Sequence, residues 1–137
     1  MRGRASFDGL AASILARNER VRVEGLSIVQ EFATNGEADM KEIITSSTTD
    51  TGFAREAAGQ GVPGRIDSKD MIGDVSAEAG GNGSDFIGRF GWLKGFEAYY
   101  LLQENGTTRI AAMNALHGSY IRNREAAIAR IHAIARG

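Results

Sequence analysis

The sequence predicts an α+β fold, in which a long N-terminal helix and a C-terminal helix pack on a small antiparallel β-sheet with a long glycine-rich loop. Both ends of the 137-residue chain carry apolar residues at helical spacing. The chain has 18 glycines and one proline, and many of the glycines lie between Gly52 and Gly95, which favours turns there. With 42% hydrophobic residues, we expect residues 1–137 to form a single domain.

The N-terminal segment has the apolar spacing of one face of an α-helix. We expect Ser6 to cap this helix and Thr34 to lie near its end. The pair Asn35–Gly36 predicts a break or kink, followed by a second helical piece over Glu37–Thr45. The apolar face comprises Phe7, Leu10, Ile14, Val21, Ile28 and Phe32, continued by Met40, Ile43 and Ile44.

Ser46–Gly64 is polar and rich in glycine at both ends, so it predicts a long loop. Phe53 is its expected apolar anchor, and only the residues AREAA are suited to a short helix. Asp67 or Ser68 is then expected to cap a single helical turn. Four acidic residues lie close together here, but their spacing does not match a calcium-binding loop, so we predict no metal site.

A β-hairpin is predicted next along the chain. Val75–Ala79 fits a short strand, and Ala79–Ser84 (AGGNGS) supplies the glycine and asparagine that tight hairpin turns require. Phe86–Leu93 is the expected return strand. Its alternation places Phe86, Gly88, Phe90 and Trp92 on one face, which we expect to pack on the helices.

A short helix over Phe96–Gln103 and a longer one over Ala111–Ala135 complete the predicted fold. Of Tyr99 and Tyr100, only one can point inward. Asn105–Gly106 predicts a left-handed turn at the end of the short helix. The apolar face of the last helix comprises Met113, Leu116, Tyr120, Ala127, Ile131 and Ile134, broadened by Ile121 and Ile128.

Composition argues against several classes of chemistry. The absence of cysteine excludes disulfides, thiolate catalysis and cysteine-ligated zinc. His117 and His132 have no carboxylate at ligand spacing, which argues against zinc. Ser119 lies two residues from His117, but no nucleophile elbow is present, so a small hydrolase or ligand-binding domain is only a remote alternative. We predict no catalytic, cofactor-binding or metal-binding residues, and a soluble protein with no export signal or membrane span.

Charge is distributed unevenly along the chain. Residues 37–104 carry twelve acidic and six basic side chains, whereas residues 105–137 carry five basic and one acidic. This asymmetry suits head-to-tail contacts between copies or a partner of opposite pattern. Plain solvated faces are the other interpretation. A nucleic-acid-binding helical module that uses the C-terminal arginines is a further alternative, although the chain is not strongly basic.

Two segments resemble a known family. GRIDSKDMIGDV (residues 64–75) resembles the GR(V/I)DTGxMxxSI segment of small neck proteins of long-tailed bacteriophages, although Ser68 and Lys69 replace its usual Thr and Gly. Residues 99–125 resemble the YxxYxExGT segment and C-terminal helix of the same tail-completion or head-tail joining proteins, although a proline that often follows is absent. The matched residues are Gly64, Arg65, Ile66 and Asp67 in the first segment, and Tyr100, Glu104, Gly106 and Thr107 in the second.

The resemblance implies a structural virion protein without catalysis or cofactor. Its first partner would be the chain itself, in a ring with six copies favoured and twelve possible. Further partners would be a head-closure or connector protein and a tail terminator or tail tube protein, with possible lumenal contact with genomic DNA and no membrane. It would reside in the virion neck or tail, and in the host cytoplasm during assembly. A tail terminator or head-closure role is the alternative.

Within this interpretation, turn and interface residues can be assigned. We expect Glu104, Asn105, Gly106 and Thr107 to shape the turn. An exposed tyrosine, Tyr99 or Tyr100, would anchor a contact. Arg109, Arg122 and Arg124 would meet an acidic surface on a neighbouring copy.

Overall fold

The computed structural model describes residues 7–61, 64–66, 69–81 and 85–136, with only the backbone described for residues 7–11 and 14. A long N-terminal helix and a C-terminal helix flank a small two-stranded antiparallel sheet, which confirms the predicted α+β class. The elements are α1 (Phe7–Ser46), α2 (Gly52–Ala57), α3 (Asp70–Gly73), β1 (Ser76–Gly81), β2 (Phe86–Gly91), α4 (Ala98–Asn105) and α5 (Ala115–Arg136).

Helix α1 is continuous over 40 residues, so the break predicted at Asn35–Gly36 is wrong. Gly36 is buried inside the helix, where a Cβ would lie 2.1 Å from the Cδ1 atom of Phe90. Gly88 on β2 is equally tight, since its Cβ would lie 2.4 Å from the carbonyl oxygen of Val29. Glycine at these positions allows β2 to lie directly against α1, and that packing outweighs the low helix propensity of glycine. The expected cap, Ser6, lies outside the described residues.

The hairpin pairs Ser76 with Gly91 and Gly81 with Phe86. Compared with the prediction, β1 is shifted toward the C-terminus and β2 ends at Gly91, while residues 82–84 of the predicted turn lie outside the described part. The predicted inward face is confirmed: Phe86, Gly88 and Phe90 are half-buried, and the residues between them are exposed. Because a two-stranded hairpin is only marginally stable alone, its contact with α1 stabilises it.

The core lies between the C-terminal half of α1, α3, α4 and the start of α5. The predicted core residues Met40 and Ile44 on α1 are fully buried there. The predicted Val21 is exposed, because it borders only a shallow groove at the end of α5. The buried cluster comprises Met40, Ile44, Met71, Val75, Tyr100, Met113 and Ala115.

Helix α5 begins at Ala115 rather than at the predicted Ala111, and its predicted apolar face is partly wrong. Tyr120 and Ile131 are exposed. The buried residues are small or polar, spaced by four: Ala115, Ser119 and Asn123. Small side chains allow α5 to approach α1 closely, and the Nδ2 atom of Asn123 donates a hydrogen bond to Oδ2 of Asp39 on α1 (2.9 Å).

The segment predicted as a loop, Ser46–Gly64, contains the short helix α2. Its expected apolar anchor is wrong, since Phe53 is 85% exposed. Two polar residues, Arg55 and Gln60, are buried in its place. The short helix expected over Phe96–Gln103 is α4, which begins two residues later and leaves Phe96 exposed. No helix in the described residues has the length and apolar character needed to cross a membrane.

Candidate functional site

The two segments that resemble phage neck proteins meet at one buried polar cluster, here called the polar joint, formed by Gln60, Arg65, Gln103 and Glu104. Arg65 is its centre and is 4% exposed. Its Nε donates to Oε1 of Gln103 (2.8 Å), Nη1 to the carbonyl of Ser47 (2.9 Å) and Nη2 to the carbonyl of Ala111 (2.8 Å). One guanidinium thereby connects three segments that are distant in sequence.

Burial lowers the pKa of Arg65, and the nearby negative charge of Glu104 opposes that shift. A guanidinium nevertheless remains protonated in proteins, because its intrinsic pKa is very high. Arg65 therefore acts as a permanent buried cation. It is compensated by carbonyl oxygens and by Glu104, an arrangement that holds segments together and does not transfer protons.

Glutamine side chains extend the polar joint toward the start of the loop. Gln103 donates through Nε2 to the carbonyl of Gln60 (2.6 Å). The amide oxygen of Gln60 accepts from the backbone N–H of Thr49 (3.1 Å), and its Nε2 donates to the carbonyl of Ser47. These bonds anchor the segment around α2 through polar contacts, which explains why it needs no apolar anchor.

Glu104, at the end of α4, caps the N-terminus of α5. Its carboxylate is buried, with Oε1 accepting from the N–H of Leu116 (3.0 Å) and Oε2 from the N–H of His117 (2.8 Å). The N–H of Asn114 also donates to the carbonyl of Glu104 (3.1 Å). A carboxylate at this position satisfies N–H groups that otherwise lack partners and interacts favourably with the helix dipole.

The turn after α4 is built by Gly106 and Thr107. Gly106 has φ of 76° and ψ of 169°, so φ is positive, but ψ lies outside the left-handed helical region that the prediction implies. A Cβ at Gly106 would lie 2.8 Å from the carbonyl oxygen of Ile110. The Thr107 hydroxyl accepts from the N–H groups of Arg109 (3.1 Å) and Ile110 (3.0 Å). Asn105 is the exposed last residue of α4.

A second contact joins the two motif segments beside the polar joint. Tyr100 is fully buried, and its hydroxyl donates to Oδ2 of Asp74 (2.6 Å). Burial and the neighbouring Asp74 carboxylate raise the pKa of Tyr100 well above its usual range. Tyr99 is half-buried, its ring 4.8 Å from that of Tyr100, so only one of the two tyrosines points inward, as expected.

None of the three predicted interface arginines belongs to the polar joint. Arg109 and Arg124 are exposed, and Arg109 precedes α5. Arg122 is also exposed, with Nη1 3.5 Å from Oδ1 of Asp39 in the same chain. Asp67, the remaining predicted residue, lies outside the described part of the chain.

The buried roles of Arg65, Gln103 and Gln60 were not predicted from the sequence. Arg65 could be found only as a match to the first motif, and nothing local distinguishes a buried arginine from a surface one. Gln60 and Gln103 lie in polar stretches whose burial depends on distant segments. In the described residues, no group of three or more His, Cys, Asp or Glu is placed to hold a metal ion.

An open, mostly apolar groove of about 750 Å³ lies between β2, α4 and α5. Its ionisable lining residues are Arg89, Glu104 and His117. Glu104 is already engaged as the cap of α5, so the groove offers a surface for apolar contact rather than a set of converging reactive groups. The apolar residues that define it here are Phe90, Trp92, Leu93, Leu101, Leu116 and Tyr120.

No protein-family model, no curated protein and no solved structure matches this chain. The relation to phage neck proteins therefore depends on the two sequence segments and stays a prediction.

Proposed function

We propose that this chain is a structural subunit of the head-tail connector of a long-tailed bacteriophage, in the neck or tail-completion ring. It joins the capsid connector to the tail tube through subunit interfaces and carries out no catalysis. Its neighbours would be further copies of itself, a head-closure or connector protein, and a tail terminator or tail tube protein. A terminator or head-closure role in the same connector is the alternative.

The observation that supports this proposal most is the structural role of the matched residues. Arg65 and Glu104, one from each motif, belong to the same buried joint. Tyr100 is buried against the end of the first motif, and Gly64 and Gly106 occupy positions where a Cβ would clash. The resemblance is thus concentrated in residues that maintain one fold. That is expected of a scaffold protein whose function depends on its surfaces.

The surface also suits a subunit of an assembly. Large apolar side chains are exposed on several elements, including Leu15 and Val23 on α1 and Ile87 on β2. Residues 15–23 of α1 are all exposed, although a helix in a globular protein normally obtains most of its stability from packing. Partner subunits would supply that packing, and exposed apolar surface of this kind commonly marks interaction sites.

Oligomerisation is the first test. The purified protein should sediment as a species several times its monomer mass of 14.6 kDa and show rings in negative-stain images. The acidic and basic segments predict that assembly weakens at high salt, because screening shortens the range of charge attraction. A sample that remains monomeric at high concentration, and that also fails to join purified connectors or tails, would overturn the proposal.

The exposed arginines of the C-terminal region favour DNA contact as a secondary role. Such contact would have an affinity that falls steeply with salt, as expected for phosphate binding. If Arg109→Ala and Arg124→Ala leave binding to a short duplex unchanged, these arginines do not contact DNA. This role is compatible with a connector, since DNA passes through its lumen.

A further inference from the structure

Helix α2 presents a single large apolar side chain to solvent. Phe53 is 85% exposed and does not contribute to the core of its own chain. The helix beneath it is well anchored: Arg55 is buried and donates through Nη1 to the carbonyl of Asp50 (3.0 Å), and the Thr51 hydroxyl accepts from the N–H of Ala54 (3.0 Å). The phenyl ring is therefore held on a fixed support.

The apolar groove has the complementary shape and composition. Leu93 and Leu101 on its wall are about half exposed, and its volume of about 750 Å³ is ample for an aromatic side chain. Positive charge lies beside it, on Arg89 in the lining and on Lys94 next to Leu93. A groove of this kind favours an apolar side chain flanked by acidic groups.

Phe53 is flanked by such groups. Asp50 and Glu56 are both exposed, three residues before and three residues after it. The protrusion therefore carries negative charge, whereas Arg89 and Lys94 place positive charge beside the groove, and the lining carboxylate of Glu104 is buried and bonded to the start of α5. Opposite potentials of this kind select partners and orientation. Arg89 already pairs with Glu78 across the hairpin, but its side chain remains 62% exposed and accessible to a second carboxylate.

The two surfaces cannot meet within one chain. Gln103 on α4 faces the α2 segment through its bond to Gln60, whereas Leu101 lines the groove. Helix residues two positions apart, such as Leu101 and Gln103, are about 200° apart around the helix axis. These two surfaces therefore lie on nearly opposite sides of α4. None of the described residues between 46 and 66 lines the groove.

We propose that Phe53 of one copy inserts into the apolar groove of the next copy, with Asp50 and Glu56 placed against Arg89 and Lys94. This inference rests on the proposed function and specifies its interface. Each copy offers one protrusion and one groove on different faces. The contact is therefore heterologous, and its repetition closes a ring when the rotation between copies allows it.

Neighbouring leucines on α4 supply a matched test. Leu101 lines the groove and Leu102 does not, yet their exposed fractions are 50% and 48%. Phe53→Asp and Leu101→Asp should each raise the dissociation constant for self-association roughly 30-fold or more, as expected for a central apolar contact. Leu102→Asp should change it less than about 3-fold. Circular dichroism would verify that all three variants remain folded.

Mixing the two defective variants tests the head-to-tail geometry. Phe53→Asp retains a functional groove and Leu101→Asp retains a functional protrusion, so an equimolar mixture should form 1:1 dimers that neither variant forms alone. An interface in which the same surfaces face each other would not be restored in this way. Failure of the mixture to dimerise, with both variants folded, would overturn the proposal.

The absence of native cysteine permits a direct measurement of proximity. The double variant Phe53→Cys, Leu101→Cys should form a ladder of disulfide-linked oligomers on mild oxidation. The control, Phe53→Cys with Leu102→Cys, should cross-link at least about 10-fold more slowly, because its second sulfur lies outside the groove. Equal rates for the two pairs would contradict the assigned contact.

These results separate the interface from the function. If the wild-type protein forms rings and Phe53→Asp still forms them, the interface is wrong and the connector role stands. If the wild-type chain is monomeric at high concentration, self-association through this contact is refuted. The connector role is refuted as well only if the chain then fails to join connectors and tails.

Discussion

Replacing Glu104 by alanine should destabilise the protein strongly. The carboxylate accepts the N–H groups of Leu116 and His117 at 3.0 and 2.8 Å and lies close enough to Arg65 to affect its pKa. Loss of a helix cap costs about 0.5–2 kcal/mol, and leaving a buried N–H group without a partner costs about 1–3 kcal/mol. Since the two terms overlap, we expect a total of about 2–4 kcal/mol for Glu104→Ala.

Glu104→Gln separates charge from shape. The amide retains one oxygen acceptor but presents an NH₂ group to a backbone N–H, so we expect a loss of about 2–3 kcal/mol. Urea unfolding followed by circular dichroism at 222 nm would measure both variants, with Glu125→Ala, at an exposed site on α5, as the control. That control should lie within about 0.5 kcal/mol of wild type.

A cost below about 1 kcal/mol for Glu104→Ala, or wild-type stability of Glu104→Gln, would refute the assigned capping role of Glu104. Either result would mean that water or a rearranged Asn114 satisfies the start of α5 equally well. A strong loss in Glu104→Ala with no additional loss on removing Arg65 would instead indicate coupling between the two charges, as a double-mutant cycle measures.

Three further variants test other parts of the fold. Because the pKa of Tyr100 is raised, its contribution to stability is fully present below the unfolded-state pKa of about 10 and is lost as pH rises above that value, so the free energy of unfolding should fall in alkali. Tyr100→Phe should reduce that fall. It should also cost about 1–3 kcal/mol at pH 7, because it removes the hydrogen bond to Asp74. Gly36→Ala should lower the free energy of unfolding, measured by urea unfolding, by about 1–3 kcal/mol, because its Cβ would overlap the ring of Phe90. Gly118→Ala, also in a helix but with its nearest neighbour 4.0 Å away, should raise stability by up to about 1 kcal/mol. If both glycine variants shifted stability in the same direction, the assigned crowding at Gly36 would be incorrect.

The sequence was sufficient to predict elements whose signal is local. Helical periodicity located α1 and α5, and alternation located β2 and its inward face, because side-chain direction follows directly from helix and strand geometry. The exclusion of disulfide and thiolate chemistry required only the composition. The inward position of one tyrosine on α4 also followed from helix geometry.

The errors came from contacts between distant segments. The low helix propensity of glycine predicts a break at Gly36. The helix continues because Gly36 makes room for the ring of Phe90, which is more than 50 residues away in sequence. Phe53 was predicted to anchor its segment because apolar residues are usually buried. In the structure, Arg55 and Gln60 anchor that segment through hydrogen bonds instead. The packed face of α5 was predicted from its large apolar residues. That prediction was partly wrong because close packing between helices favours small residues.

The length of α1 has a consequence for how order is distributed along the chain. At about 1.5 Å per residue, 40 residues span about 60 Å, and every residue from 15 to 23 is exposed, whereas burial begins at Glu24. Amide hydrogens around Met40 should exchange with solvent only on global unfolding, whereas those of residues 15–23 should exchange through local fraying. One continuous helix thus combines a stably protected segment around Met40 with an exposed segment, residues 15–23. Increased protection of the exposed segment against exchange would show that a partner has bound there.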